Sequence, residues 1–313
     1  MADVRLEDIR LFLCDPRVQV RSSLRMALND AGLRNANIWE GGELDAINEA
    51  VSDPNGPDII ICDVTANTDE ACEIFHGIRH NELGTNPFVC IIAVAWSPKQ
   101  PLVNKVVDSG ADLLVAAPIS PSVILDRIDS LVHNRKPFVV TTDYVGPDRR
   151  FQKDRPSDVK HIDVPNSLRD KALGKFDAAA LKERIRATRE SIDGQKIDRH
   201  AFQVAYLADM ITQEFKNDTA ENASNQLRDL RKVTAELKKK AAAMDAREIK
   251  ELCTPLATVT EKLISSKGDF KKKDIELLGQ LSLAIRAAVK PGNAASSLAR
   301  DISKTVIGAG AAR

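Results

Sequence analysis

The chain has 313 residues, of which 43% are hydrophobic and 29% charged, and its 45 basic side chains balance 45 acidic ones. That length exceeds one typical domain, and zero net charge excludes a polybasic nucleic-acid or membrane-surface protein as the default reading. The balance hides an asymmetry: residues 1–140 carry 12 basic and 20 acidic side chains, net −8, whereas residues 171–313 carry 27 and 19, net +8.

In chain order, residues 10–14, 59–62, 88–95 and 113–116 are short apolar runs of the kind buried parallel strands require. Helix-period segments separate them. The first places Val20, Leu24, Ala27 and Leu28 on one face and stops at Gly32; the next has Leu44, Ile47 and Val51 before the loop Asp53-Pro-Asn-Gly-Pro57. Alternation of this type predicts an α/β doubly wound parallel five-stranded sheet with its functional loops at the carboxyl ends of the strands. Residues 136–172 contain Pro137, Pro147, Pro156 and Pro165, much charge and little periodicity, and read as a partly extended linker in which Phe138–Thr142 has strand character. Beyond it the pattern is helical. Leu227, Leu230, Thr234, Leu237, Ala241 and Met244 recur at steps of three and four, as do Ile249, Leu252, Leu256, Val259 and Leu263, so an all-α bundle of about four to six helices is expected. Asp245 followed by Glu248 reads as a capping box, and Thr254-Pro255 as a kink or a helix start. The expected domains are therefore residues 1–135, the linker 136–172, and residues 173–313.

Five cysteines, Cys14, Cys62, Cys72, Cys90 and Cys253, show neither metal-ligand nor disulfide spacing and read as small buried hydrophobes in a reducing compartment. No N-terminal stretch has the layout of a signal peptide. The longest apolar run, Phe88 to Trp96, falls far short of the roughly 20 residues that span a bilayer, so a cytoplasmic location without membrane contact is expected.

Chemistry concentrates in acids at strand ends. Asp15 follows Leu11-Phe-Leu-Cys14 and Asp63 follows Ile59-Ile-Ile-Cys62, so a parallel sheet brings both carboxylates to one edge. Two carboxylates there suit a hard divalent cation, and a carboxylate beside such a cation can attack a phosphoryl group.

Over roughly residues 8–133 these features resemble the response-regulator receiver family. Pro57-Asp-Ile-Ile-Ile-Cys-Asp-Val64 is similar to its phosphoacceptor strand, and Gly110-Ala-Asp112 and Ala117-Pro118 are similar to the approach to its last strand. The resemblance implies a flavodoxin-like receiver fold with Asp63 as phosphoacceptor. It implies weakly held Mg²⁺ on Asp15, Asp63 and the Thr65 carbonyl, and a cis Ala117-Pro118 bond. Several positions depart from the family: Pro16 replaces a second acid, Ala95 the switch hydroxyl, Leu114 the switch aromatic, and Ala117 the lysine before the cis-proline. The hydroxyl and the ammonium couple phosphorylation to loop rearrangement in the family, so the usual route from phosphate to altered surface is missing.

Other candidates carry less. His200 lies on a helix but lacks the small and basic residues that follow a phosphotransfer histidine, and His133 and His161 have no partners at metal spacing. Arg149 and Arg150, in Tyr144-Val-Gly-Pro-Asp-Arg-Arg150, form a candidate anion site or a brace against the acidic N-terminal domain. Lys238–Lys240 and Lys271–Lys273 read as a solvated basic face, so nucleic acid is not the expected partner; a basic helical transcriptional regulator is the rival from another class. The expected function is a non-enzymatic two-component response regulator. Its atypical receiver would meet a sensor histidine kinase or phosphotransfer protein and control a helical domain that binds a downstream protein or forms a homo-oligomer. A pseudo-receiver scaffold that is not phosphorylated is the alternative.

Overall fold

The computed structural model describes residues 5–149, 160–217, 223–266 and 268–289. The chain divides into two compact units, Met1–Arg189 and Glu190–Arg313.

In the first unit, strands β1 (Leu11–Cys14), β2 (Ile38–Gly41), β3 (Ile59–Asp63), β4 (Cys90–Trp96) and β5 (Leu113–Ala117) form one sheet in the order β2-β1-β3-β4-β5, every pair parallel. The apolar runs become strands because both faces of the sheet are covered. Helices α1 (Val18–Asp30) and α5 (Pro121–His133) bury Leu24, Leu28, Ile124 and Ile128 with Leu11, Leu13, Ile59 and Ile61 on one side. On the other side, α2 (Asp45–Ser52), α3 (Thr68–Arg79) and α4 (Gln100–Asp108) enclose Phe12, Ile60, Cys62, Ile91 and Ala93. Gly32, with φ of +107°, ends the turn after α1 as its position suggested.

The segment expected to be a linker is largely folded onto this unit. Strands β6 (Phe138–Val140) and β7 (Val145–Pro147) form an antiparallel hairpin, Ile162 bridges back to Phe138, and α6 (Ser167–Ala172) packs Leu168 and Ala172 into the α1/α5 side of the core. Proline and charge gave the segment the look of a linker, but one buried ion pair from the segment itself and one buried charged cluster packed against Phe138 hold it at the amino ends of the strands. Lys171 Nζ lies 2.7 Å from Asp58 Oδ2 just before β3. Asp112, just before β5, takes Arg79 and Arg135, each at 2.8 Å, with all three side chains almost fully buried. Phe138 sits against both guanidiniums, 5.2 and 5.1 Å from its ring centroid. Burial lowers the pKa of Arg79, whereas at Arg135 burial is outweighed by the attraction of Asp112 and the pKa is raised.

Helix α7 (Ala178–Lys216) contains the division between the units. The second unit is completed by α8 (Ser224–Ala243), α9 (Arg247–Ser265) and α10 (Lys272–Val289). Both expected stripes enter its core; Met244, at the end of the first, stays 37% exposed. Two local expectations change. Asp245 has φ of +52° and pairs with Arg247, and the residue before α9 is Ala246 with no side-chain cap, so no capping box forms. Pro255 lies inside α9, which continues to Ser265.

Candidate functional site

Strand ends position the acids. Asp15 directly follows β1 and Asp63 closes β3, adjacent strands paired in register up to Cys14 and Cys62, so both carboxylates reach the same carboxyl edge. Both side chains are buried, at 5% and 2% exposure.

Between them lies a residue that sequence reasoning missed. Arg17 Nε donates to Asp15 Oδ1 at 2.8 Å, and its Nη2 donates to Asp15 Oδ2 at 2.6 Å and to Asp63 Oδ2 at 2.7 Å. Its backbone N–H donates to Asp15 Oδ1 as well, at 2.8 Å. The remaining oxygen, Asp63 Oδ1, accepts the Thr65 backbone N–H at 2.9 Å. Hydrogen bonding to Asp15 raises the Arg17 pKa against the opposing effect of burial. The signal was present: an arginine two residues beyond Asp15 sits where the chain leaves the strand edge, within reach of its own acid and of any carboxylate on the next strand. The adjoining thiol of Cys62 is raised well above its usual range by its hydrogen bond with Cys14 and by burial.

The N-terminal unit has the doubly wound 2-1-3-4-5 strand order of flavodoxin-like folds. Within this unit Pro16 is an exposed loop residue, Ala95 is fully buried in β4, and Leu114 is half-buried in β5 against the α2–α4 side of the core. Ala117 ends β5 and precedes Pro118 through a cis peptide bond. Thr65 is exposed, and its Oγ1 accepts the Trp96 backbone N–H at 3.0 Å. Arg149 is remote from the acids: it pairs with Asp108 of α4 at 2.7 Å and lies 4.1 Å over the Tyr144 ring. Arg150 lies outside the described residues. His200 is buried in the helical unit, His161 meets Asp148 at 2.6 Å, and His133 meets Asp129. A separate cleft of about 480 Å³, lined among others by His133, Lys136, Asp163 and Arg169, contains neither Asp15 nor Asp63.

The residues present do not fit a divalent cation as they stand. All four carboxylate oxygens of Asp15 and Asp63 accept N–H groups, three of the contacts coming from one permanently charged guanidinium. Among the described residues, no group of three or more His, Cys, Asp or Glu side chains is placed to hold a metal.

No family model matches the sequence, and no curated protein matches it. Solved structures align with part of the chain. A response regulator from Thermotoga maritima aligns at 18% identity and a TM-score of 0.33, over 39% of this chain and 96% of its own. The Vibrio cholerae chemotaxis protein CheY4 aligns at 18% and 0.32, over 39% and 96%. The Thermotoga maritima response regulator DrrB, an OmpR/PhoB homologue, aligns at 15% and 0.35, over 58% and 88%. Among the described residues no helix is long and apolar enough to cross a membrane.

Proposed function

We propose that the chain is a non-enzymatic signal-transduction protein of the response-regulator type. Its atypical receiver unit recognises a sensor histidine kinase or phosphotransfer protein and governs what the helical unit binds. The observation that carries this reading is the convergence of buried Asp15 and Asp63 at the carboxyl edge of a β2-β1-β3-β4-β5 sheet. In this reading Asp63 is the phosphoacceptor, and its surroundings slow and mute that role. Its Oδ2 is bound to Arg17, and buried Ala95 offers no hydroxyl to pull a loop toward a phosphate. The receiver unit thus works mainly through a preset docking surface. The opposite charges of residues 1–140, net −8, and of the helical unit, where residues 190–313 carry 21 basic and 17 acidic side chains, net +4, support a protein-binding role for that unit.

Mass-resolved phosphorylation by a small phosphodonor, with and without Mg²⁺, tests this on wild type and Asp63→Asn. Slow, substoichiometric incorporation in wild type, abolished in Asp63→Asn, is the expected result. Rapid full incorporation would refute the preset reading. No incorporation into a folded protein favours the pure scaffold, which the double ion pair of Arg17 also supports.

A further inference from the structure

Resting on the reading of Asp15 and Asp63 as the functional acid pocket, we infer that Arg17 is its resident cation: the guanidinium stands where a divalent metal would bind and keeps that metal out. The fork uses three side-chain hydrogen bonds of 2.6–2.8 Å to reach both acids, and bidentate charge-assisted pairs are the strongest such contacts. The side chain is prepositioned. Arg17 is the residue before α1, its own backbone N–H bonds to Asp15, and its guanidinium stacks on Trp96 at 4.7 Å from the ring centroid.

Trp96 in turn gives its backbone N–H to Thr65, so the loops after β1, β3 and β4 are joined through one side chain. Arg21 adds a second positive group by donating from Nη1 to the Asp15 carbonyl. A divalent ion entering between the acids would displace hydrogen bonds already made and face two like charges at close range. Because arginine stays charged at all physiological pH, the electrostatic state of the pocket becomes independent of both pH and Mg²⁺. An acid pair that elsewhere would await its metal is here neutralised from within the chain.

Electron paramagnetic resonance of free Mn²⁺, titrated with the full-length chain, counts bound ions directly. Wild type is expected to match Asp15→Asn, with no Mn²⁺ held at the pocket. Arg17→Ala should bind one equivalent at least about tenfold tighter than wild type, the worth of one charge-assisted hydrogen bond, and lose it in Arg17→Ala/Asp63→Asn. Arg17→Gln, which keeps most of the side-chain volume, serves if the alanine variant does not fold. The inference is overturned if wild type binds Mn²⁺ through these acids within about threefold of the variants. It is equally overturned if folded Arg17→Ala and Arg17→Gln gain no site. A chain that never carried phosphate on Asp63 would fail the phosphodonor test and leave this Mn²⁺ contrast unchanged, so the two failures are separable.

Discussion

Truncating Asp112 to alanine should destabilise the N-terminal unit by about 3–5 kcal/mol, the usual cost of removing one partner from a buried ion pair. Asp112 Oδ2 accepts from Arg79 Nη2 and Oδ1 from Arg135 Nε, while the other N–H groups are spent on the carbonyls of Gly110, Pro87, Val89 and Phe88. Without the carboxylate, two guanidiniums less than a tenth exposed, both packed against Phe138, lose their shared counter-ion. Asp112→Asn should recover only part of the loss, since it restores one acceptor but no charge. For a unit of this size each kcal/mol moves Tm by roughly 2–4 °C, so a fall of roughly 6–20 °C is expected. Trp39 and Trp96 are the chain's two tryptophans and both lie in this unit, so thermal unfolding followed by tryptophan fluorescence reads it without interference from the helical unit. A fall of under about 2 °C in Asp112→Ala would show that the hairpin and α6 are held by apolar packing rather than by the triad.

Lys171→Ala leaves the Asp58 carboxylate buried, with only the Arg10 backbone N–H on Oδ2, and should cost a further about 3–5 kcal/mol in the same assay. Gly110→Ala meets both a φ of +93° and a new Cβ 2.7 Å from Arg79 Cγ and 2.9 Å from the Val145 carbonyl oxygen; a loss of at least about 1–3 kcal/mol is expected from its urea midpoint. In the helical unit Leu252→Ala opens a cavity in the core and should cost about 2–5 kcal/mol, read by helical circular dichroism. Burial pushes the thiols of Cys90 and Cys253 up to about 12. An acid raised in the folded state contributes fully below its unfolded pKa near 9, so stability should fall as pH rises from 9 toward 12; urea midpoints that rise over this window would contradict the burial.

The sequence by itself determined the elements whose burial is two-sided or strictly periodic. Continuous apolar runs such as Ile59–Cys62 have no stable place except between two helical layers, and the steps of three and four from Leu227 to Ala241 have none except a helix face against a core. The acids after β1 and β3 were legible for the same reason, since strand ends fix their positions. Strand β2 carried no such signal: at the sheet edge, Trp39 and Glu40 are half-exposed and the run looks mixed. The segment 136–172 misled because its prolines and charges are local features, whereas its anchors are long-range; Lys171 meets an acid 113 residues away. Arg17 needed the tertiary structure as well. Its proximity to Asp15 is local, but only the pairing of β1 with β3 brings Asp63 to the same guanidinium, so charge complementarity across 46 residues decided what the acid pocket holds.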